Sequence, residues 1–587
     1  MQVEKVPKSK AALRVRRQLV EAILFEKLLP YKEEKVTRAL SHFFIKGRSA
    51  TFRCTGKISA FGRIRIEEEL VYKLTSSGEI HQAVIAEFIA ELNPEAEIGR
   101  LLLQELEQTI YLTDWNEEHI PQLLSRRQVN GLELDSAIIE GHPYHPCFKS
   151  RTGFTVEDHK RYGPEAGQEF SLVWLAVKRK DLKFNYPKEE QSFWQKELGT
   201  NQWRDLVLAL CQKGGQLDEY TFLPVHPWQW DAIKEQYADS LESRDIIVLG
   251  EYGDLYRATQ SVRTLMNRSN PHKAMIKLSM NLVHTSSVRT LMPHSVCTAP
   301  ALSDWLHKVL LSDNYLLDKG VVMLKEYAGA LFEPKGWRSN ESAGQLAAIW
   351  RENITNYLKS NEEFIPFNAI LLKEKDGHLF ISEWIKKYGV EKWVTQLIKT
   401  AVIPVWHLLV NHGIALETHS QNMLLIHEEG WPLRVALRDF HESVEYVDSF
   451  LKSKEGLPDF TQLDEVYNGA KDNQYYWMQE VEALRELVMD TLFVYNLSEL
   501  SFLLDREDFI SEEQFWELVD KELTDYISCF PENRERAAHI DYRRENIMAE
   551  SLLKKKLNRE SQIEHRHLVP NSLAINQDTR RAEHVLC

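Results

Sequence analysis

Residues 412–442 read HGIALETHSQNMLLIHEEGWPLRVALRDFHE, and this stretch decides how the chain is folded around its chemistry. Ile414 to Leu416 and Met423 to Ile426 are short apolar runs of strand length, flanking the polar loop Glu417-Thr418-His419-Ser420-Gln421-Asn422. The Glu-Glu-Gly-Trp-Pro segment then turns the chain into a third strand, Leu433 to Leu437, which ends close to Asp439. Strand ends that carry Glu, His, Asn and then Asp are suited to a hard cation, because Mg²⁺ takes oxygen ligands, usually one or two carboxylates beside substrate phosphates. Kinases place a catalytic loop and a metal-binding Asp in a similar strand-loop-strand unit. On this reading Asn422 and Asp439 are metal ligands, and Glu417 or His419 faces the reacting groups. A loop that only hydrogen-bonds two strands together is the plainer alternative.

Periodicity extends the assignment in both directions. Glu391 to Asn411 has apolar residues at Trp393, Leu397, Ile398, Ala401, Val405, Leu408 and Leu409, which predicts a helix kinked at Pro404 and capped by Gly413. Further on, Ser511 and Gln514 form a capping box ahead of Phe515, Trp516, Leu518, Val519 and Leu523. The tail from Asn533 is charged and locally basic at Lys554, Lys555 and Lys556. At the other end, residues 10–29 predict an amphipathic helix stopped by Pro30. Thr51 to Leu74 alternates as antiparallel strands, with Gly56, Gly62 and Gly78 as turns, and Ala83 to Asn93 and Glu97 to Leu112 predict helices. The fold class is mixed α/β, in three softly bounded segments: an α/β lobe over 1–139, a strand- and turn-rich region over 140–389, and a mostly helical region over 390–587.

The middle segment holds two further groups of interest. SVRTLM occurs at Ser261 to Met266 and again at Ser287 to Met292, and both copies are expected to be strand-like. Ser261, Arg263, Thr264, Lys277, Thr285 and Arg289 lie close together in sequence, with Lys277 in an apolar run where an unpaired ammonium is costly. Arg, Lys and hydroxyl groups together suit phosphates or a polycarboxylate, although ordinary surface ion pairing uses the same residues. The second group is GHPYHPCFKSRTGF, where prolines stiffen a loop that aims His145, Lys149 and Arg151 at a ligand. A transition-metal site at His142, His145 and Cys147 is disfavoured by the intervening prolines and the lack of a clear fourth partner. His226 in VHPWQW is expected mostly to pack.

Composition narrows the options. The 587 residues carry a net charge of −15, which does not attract a nucleic-acid backbone. No uninterrupted apolar run reaches the ~18–20 residues needed to span a bilayer, and the charged N-terminus lacks a signal-peptide apolar core. Six dispersed cysteines without C-x-x-C fit a reducing cytoplasm. G-x-G-x-x-G, G-x-x-x-x-G-K-[ST] and G-x-S-x-G do not occur, so bound phosphates must be held by side chains.

Taken together and in order, GHPYHPCFKSRTGF, PVHPWQW, SVRTL, AAIWRE, HGIALETHSQNM and RDFHE resemble the NRPS-independent siderophore synthetases of the IucA/IucC (aerobactin synthetase) family, in particular its petrobactin-type, or type C, subgroup. The likeness runs from RRQLVEA to VPNSL, where Ser572 stands in place of the proline the family pattern leads one to expect. The resemblance implies a cupped-hand fold of thumb, fingers and kinase-like palm, and a cytoplasmic homodimer that uses ATP and Mg²⁺. It implies that a carboxylate of citrate or a citryl derivative is adenylated with loss of pyrophosphate, and that an amine such as a polyamine then forms the amide and releases AMP. It further implies that Ser261, Arg263, Thr264 and Lys277, joined by His145, hold the triphosphate. Arg289 would bridge phosphate and carboxylate, with Thr285, Glu417 and His419 nearby, and Gln421, Asn422 and Asp439 would serve nucleotide and metal. Arg351 matches a family position without an assigned role. His419 is the candidate acceptor for the amine's proton. A kinase-like small-molecule phosphotransferase is the alternative, separated by its product ADP, and a non-catalytic citrate or siderophore binder would turn over no nucleotide at all.

Overall fold

The structure, a computed structural model, describes residues 9–37, 40–74, 80–121, 123–187, 189–285, 287–334, 336–337, 342–558 and 565–574. The mixed α/β expectation holds, and because nearly all strand pairs are antiparallel the arrangement is α+β. The first helix, Lys10–Phe25, packs against the five-stranded meander Tyr31–Gln82. Gly56 is not a turn: it lies within the strand Thr51–Ile58 at a register shift, where a Cβ would meet Arg65 O at 2.1 Å. Gly62 does turn the chain, with a φ of 72°, while Gly78 lies outside the described residues. Beside Gly62, Phe61 N–H donates to Ser572 Oγ at 2.7 Å, so the serine that departs from the family pattern accepts a bond that proline cannot.

The middle segment supplies an eight-stranded sheet. Its order is Leu182–Asn185, Glu326–Phe332, Ala347–Arg351, Met275–Leu278, Thr264–Asn267, Ile246–Ala258, Phe170–Lys178, Tyr220–Val225. Two-residue periodicity gives it two faces. Ile276, Leu278 and Trp350 join an aromatic core in which Trp194 meets Trp350 edge-on at 5.7 Å. The other face presents Ile349 to the helix Pro293–Ser312 and carries Thr264, Lys277, Arg351 and Glu326 side by side, since Thr264 pairs with Lys277 and Arg351 with both Met275 and Glu326.

The two SVRTLM copies are not equivalent. The first makes a turn at Ser261-Val262-Arg263, with Val262 at φ 66°, and enters its strand at Thr264; the second is a strand at Ser287–Arg289 and leaves it afterwards. A valine at positive φ is an outlier, because its branched Cβ crowds the backbone there.

The strand-loop-strand unit forms as read: Ile414–Leu416, Met423–Glu428 and Trp431–Leu437 are strands. The last two belong to a four-stranded sheet completed by Val322–Met323 and Glu363–Pro366, so the boundary placed at 389/390 cuts through a sheet. One apolar core also joins the N-terminal lobe to the last third of the chain. The helix before the loop runs from Val390 to His412. Around Pro404 it departs from regular α-geometry, with π-type stretches at Ile398–Val402 and Leu408–His412, and Gly413 at φ 75° ends it. The Ser511–Gln514 capping box is present, with Gln514 N–H on Ser511 Oγ at 3.2 Å. Among the described residues, Val390–His412 and Val481–Arg506 are long and apolar enough to cross a bilayer by length and composition, which a search for unbroken apolar runs misses. Both are mostly buried within the protein, which accounts for their composition.

Candidate functional site

The eight-stranded and four-stranded sheets meet at Asp439. This residue follows the strand Trp431–Leu437 and adopts a φ of 67°. Its Oδ1 accepts from Lys277 Nζ at 2.7 Å and from Arg351 Nη1 at 2.6 Å, two cations on adjacent strands of one sheet face. Burial opposes ionisation of this carboxyl, but Arg351, Lys277 and Arg438 outweigh it and hold it well below the usual carboxylate range. Burial, countered in part by Asp439, pushes the Lys277 ammonium down. Behind the pair, Glu326 is buried: Oε1 accepts from His441 Nδ1 at 2.7 Å, and Oε2 accepts from the backbone N–H groups of Phe440 (3.1 Å) and His441 (3.0 Å). Glu326 thereby fixes the backbone that immediately follows Asp439.

Arg263 and Arg289 stand beside this junction without a counter-ion. Arg263 Nη1 donates to Thr290 O at 2.5 Å and Arg289 Nη2 to His284 O at 2.9 Å; among the described residues neither pairs with a carboxylate within 4.0 Å. Burial, and then the neighbouring Arg263, push Arg289 down to about 9. The Nε atoms of Arg263, Arg289 and Arg351 and the Thr264 hydroxyl are buried with no hydrogen-bond partner among the described residues. Ser261 Oγ is turned back to accept from Thr264 N at 3.1 Å, and Thr285 sits in a left-handed turn at φ 60°.

The proline-stiffened loop divides its residues. His145 is fully buried; its Nδ1 accepts from Cys147 N at 3.0 Å, which places the proton of the neutral ring on Nε2. That Nε2 has no hydrogen-bond partner among the described residues, and burial, His142 and Arg289 keep the ring neutral by holding its pKa well below normal. His226 repeats the local bond with Trp228 N at 3.1 Å and packs between Tyr162 and Phe170, as expected. Lys149 and Arg151, expected to face a ligand, instead close on Glu165. Lys149 Nζ is 2.5 Å from Glu165 Oε1, and the Arg151 fork meets the two carboxylate oxygens at 2.8 and 2.9 Å. Their long, flexible carbon stems let them turn inward, and a buried carboxylate 16 positions along the chain from Lys149 receives them.

In the loop itself, Asn422 Nδ2 donates to Glu417 O at 3.0 Å, which leaves its side-chain carbonyl oxygen directed elsewhere. Gln421 O accepts from Arg438 Nε at 2.8 Å. Glu417 Oε2 accepts from Ser443 Oγ at 2.7 Å, and its Oε1 lies 3.8 Å from His419 Nε2. His419 Nδ1 accepts from Gln421 N at 3.2 Å, so the neutral ring presents N–H, not a lone pair, at Nε2. That geometry removes the reason for making His419 the proton acceptor. Sequence reasoning also missed Glu326 and gave Arg351 and His441 no role. AAIWRE and RDFHE contain the latter two, but only the sheet register shows that Arg351 stands beside Glu326, which His441 contacts.

Residues 130–372 match the model of the IucA / IucC family, and residues 391–574 match one described as Ferric iron reductase FhuF-like transporter. The chain belongs to the IucA/IucC family. It is 38% identical over 579 residues to the citryl-spermidine/3,4-dihydroxybenzoyl-citryl-spermidine:spermidine ligase of Bacillus anthracis, covering 95% of this chain and 93% of that protein. The 2-[(L-alanin-3-ylcarbamoyl)methyl]-3-(2-aminoethylcarbamoyl)-2-hydroxypropanoate synthase of Staphylococcus aureus is 30% identical over 582 residues, 96% of this chain and 92% of that one. Among solved structures, the petrobactin biosynthesis protein AsbB from Bacillus anthracis str. Sterne superposes with a TM-score of 0.91 at 36% identity, covering 98% of this chain and 96% of its own.

Proposed function

We propose that the chain is a siderophore synthetase, a ligase that uses ATP to adenylate a carboxylate of citrate or a citryl monoamide and then joins it to an amine. The observation that carries this reading is the pair Arg263 and Arg289: a buried and a half-buried guanidinium group that, among the described residues, donate to backbone carbonyls and pair with no carboxylate, beside Lys277 and Arg351 on Asp439. Bringing a carboxylate up to a triphosphate sets two anions against each other, and fixed cations in a site withdrawn from water offset that repulsion. In the first step a substrate carboxylate oxygen attacks the α-phosphorus, the bond to the β-phosphate oxygen breaks, and pyrophosphate leaves. In the second, the amine nitrogen attacks the acyl carbon, the acyl–oxygen bond to AMP breaks, and the nitrogen's proton passes to a base. Glu417, whose Oε1 has no hydrogen bond among the described residues and lies 3.8 Å from His419 Nε2, is the group we assign to that proton.

Arg289 would lie between carboxylate and phosphate, with Thr285 and His419 as donors to the acid substrate. Ser261, Arg263, Thr264 and Lys277 would bind phosphate oxygens, helped by the N–H of His145 Nε2 and by Gln421. The oxygen donors of Asn422 and Asp439 suit a hard cation, because the Asn422 amide nitrogen is already engaged and, among the described residues, the cations on Asp439 both meet Oδ1. Mg²⁺ held there would neutralise phosphate charge as the α-phosphorus is attacked. We leave Lys149 and Arg151 out of the site, since Glu165 takes both. Family membership supports reading the three segments as thumb, fingers and kinase-like palm, the palm extended by Val322–Met323 and Glu363–Pro366, in a cytoplasmic homodimer.

The products decide the matter. Purified protein given ATP, Mg²⁺, citrate or a citryl monoamide, and spermidine should release AMP and pyrophosphate in step with amide formed. ADP in their place would make the chain a phosphotransferase, and intact ATP with bound citrate would make it a binder.

A further inference from the structure

The end of the helix Val390–His412 that leads toward the Glu417 loop holds a polar group that the adenylation chemistry does not use. Asp313, between the helices Pro293–Ser312 and Asn314–Asp318, turns one carboxylate oxygen to it. That oxygen, Oδ2, lies 3.0 Å from His407 Nε2, 2.9 Å from His412 Nε2 and 3.1 Å from Asn411 Nδ2. The Asn411 nitrogen is in turn 3.1 Å from His407 Nε2 and 3.2 Å from His412 Nε2. All four residues are buried. The backbone brings the two rings together. Residues five apart on a regular α-helix point about 140° away from each other. Here the π-type stretch Leu408–His412 widens the turn, and i→i+5 spacing returns both histidines to one side.

No placement of protons satisfies these contacts. Burial opposes ionisation of Asp313, but bonds from His407, His412 and the Leu316 N–H hold its carboxyl well below the usual carboxylate range, so Oδ2 only accepts. Lys452 Nζ donates to Asn411 Oδ1 at 2.9 Å, which leaves the amide NH2, a donor, facing the rings. A ring nitrogen that carries a proton suits Asp313 and opposes Asn411; one that presents a lone pair does the reverse. Each imidazole therefore meets one conflict, in a place where unsatisfied polar groups are costly. A cation removes it, because two lone pairs and a carboxylate then face one charge while the amide swings aside. The supports are already present. His407 Nδ1 meets Tyr526 OH at 2.9 Å and Asp313 Oδ1 accepts from Leu316 N at 2.9 Å, so both ligands are fixed through the atom a metal leaves unused. Burial, against the pull of Asp313, lowers the pKa of His412 and favours the neutral ring that a metal takes. The Asp313 and His412 side chains each keep 9% exposure, which gives the group an edge on solvent.

We propose that Asp313 Oδ2, His407 Nε2 and His412 Nε2 bind a divalent transition-metal ion of the Zn²⁺ type, in a site separate from the Asn422 and Asp439 oxygens. The three ligand atoms lie within 4.8 Å of one another. Two imidazoles with one carboxylate suit zinc or ferrous iron, whereas Mg²⁺ takes oxygen ligands. The ion is structural and independent of the adenylation chemistry. It pins the end of the helix Pro293–Ser312 to the helix that precedes the strand Ile414–Leu416, and through Tyr526 to the helix Glu512–Cys529.

The test uses the full chain, stripped with EDTA, freed of the chelator, and desalted after exposure to Zn²⁺ in the presence of excess Mg²⁺. The unsubstituted protein should retain about one Zn²⁺ per chain, and its thermal midpoint should rise with Zn²⁺. Asp313→Asn, which keeps the oxygen that accepts from Leu316 N, and His412→Ala should each weaken Zn²⁺ binding at least about 10-fold and abolish that rise. Asp439→Asn should retain the ion. Less than about 0.1 equivalent on the unsubstituted protein, an arm that needs no variant to fold, overturns the proposal and leaves a hydrogen-bonded cluster between helices. Unaltered retention in both Asp313→Asn and His412→Ala overturns it too, as does loss in Asp439→Asn alone. Co²⁺ in place of Zn²⁺ gives a second readout on the unsubstituted protein. Visible d–d bands without a thiolate charge-transfer band are expected from nitrogen and oxygen ligands, and a thiolate band would put the ion on cysteine and defeat the assignment.

Discussion

Two pairs of cations, both singled out by their sequence surroundings and buried but for the half-buried Arg289, end in opposite circumstances. Lys149 and Arg151 close on Glu165 at 2.5 to 2.9 Å, while Arg263 and Arg289 donate to backbone carbonyls and meet no carboxylate among the described residues. Residue type and the burial of Arg263, Lys149 and Arg151 are alike, so what separates a structural cluster from a candidate anion site is the counter-ion. A closed ion cluster offers a ligand nothing without first being broken. An open one already bears the cost of desolvated charge, and an incoming phosphate or carboxylate relieves it.

The comparison breaks most visibly at Glu165. Glu165→Gln leaves Lys149 and Arg151 buried without their anion and should cost roughly 3–5 kcal/mol of stability, read as a lowered denaturant midpoint at unchanged m. The effect has a pH signature. Arg151 and Lys149, outweighing burial, hold Glu165 well below the usual carboxylate range, so in the unsubstituted protein its stabilisation is complete above the unfolded value, about 4.3. It is lost as pH falls through the folded one, because the unfolded chain takes up the proton first. Glu165→Gln should flatten that acid slope; if both proteins lose stability equally as pH falls below about 4, Glu165 is not the counter-ion. The neighbouring His159, pushed to about 3 by burial and Arg151, contributes acid sensitivity of the same sign to both proteins.

Arg289→Ala tests the open pair. Citrate-dependent ATP–pyrophosphate exchange should fall by about 10²–10³-fold, or ~2.7–4 kcal/mol of transition-state stabilisation, with a thermal midpoint no lower than that of the parent. A variant that unfolds readily but exchanges normally would make Arg289 a second Lys149. The smallest change sharpens the contrast within one local motif. His145 and His226 both accept from the backbone N–H two residues on, yet only His145 is near Arg289. His145→Ala should lower kcat/KM for ATP about 10-fold through one lost donor, whereas His226→Ala should alter melting and leave kcat/KM within about 2-fold.

The contrast also shows which features can be read from sequence. Helices, the strand-loop-strand unit around Glu417 and the Ser511 cap were legible because their signals lie within a few residues, where periodicity and capping act. The Asp439 junction was legible in part. Lys277 asked for an anion by its apolar surroundings, but the partner lies 162 positions away and Arg351 arrives only through strand register. Glu326 had no local signal, being 115 positions from the His441 it holds. Lys149 and Arg151 were misread for the same reason: an apolar loop rich in prolines announces stiffness, and says nothing of which acid will fold beneath it. The SVRTLM repeat misled differently, since identical hexapeptides enter and leave their strands at opposite ends.

Val262, Thr285 and Asp439 share a backbone conformation that side chains bearing a Cβ avoid, and all three flank the candidate site. Left-handed residues of this kind each cost about 1–2 kcal/mol, least of all tolerable at a branched valine. A lineage drifting under heat alone would therefore find its easiest gains at these positions, and would lose the aim of Arg263 in taking them. Thermal hardening and catalytic competence compete here for the same few dihedral angles.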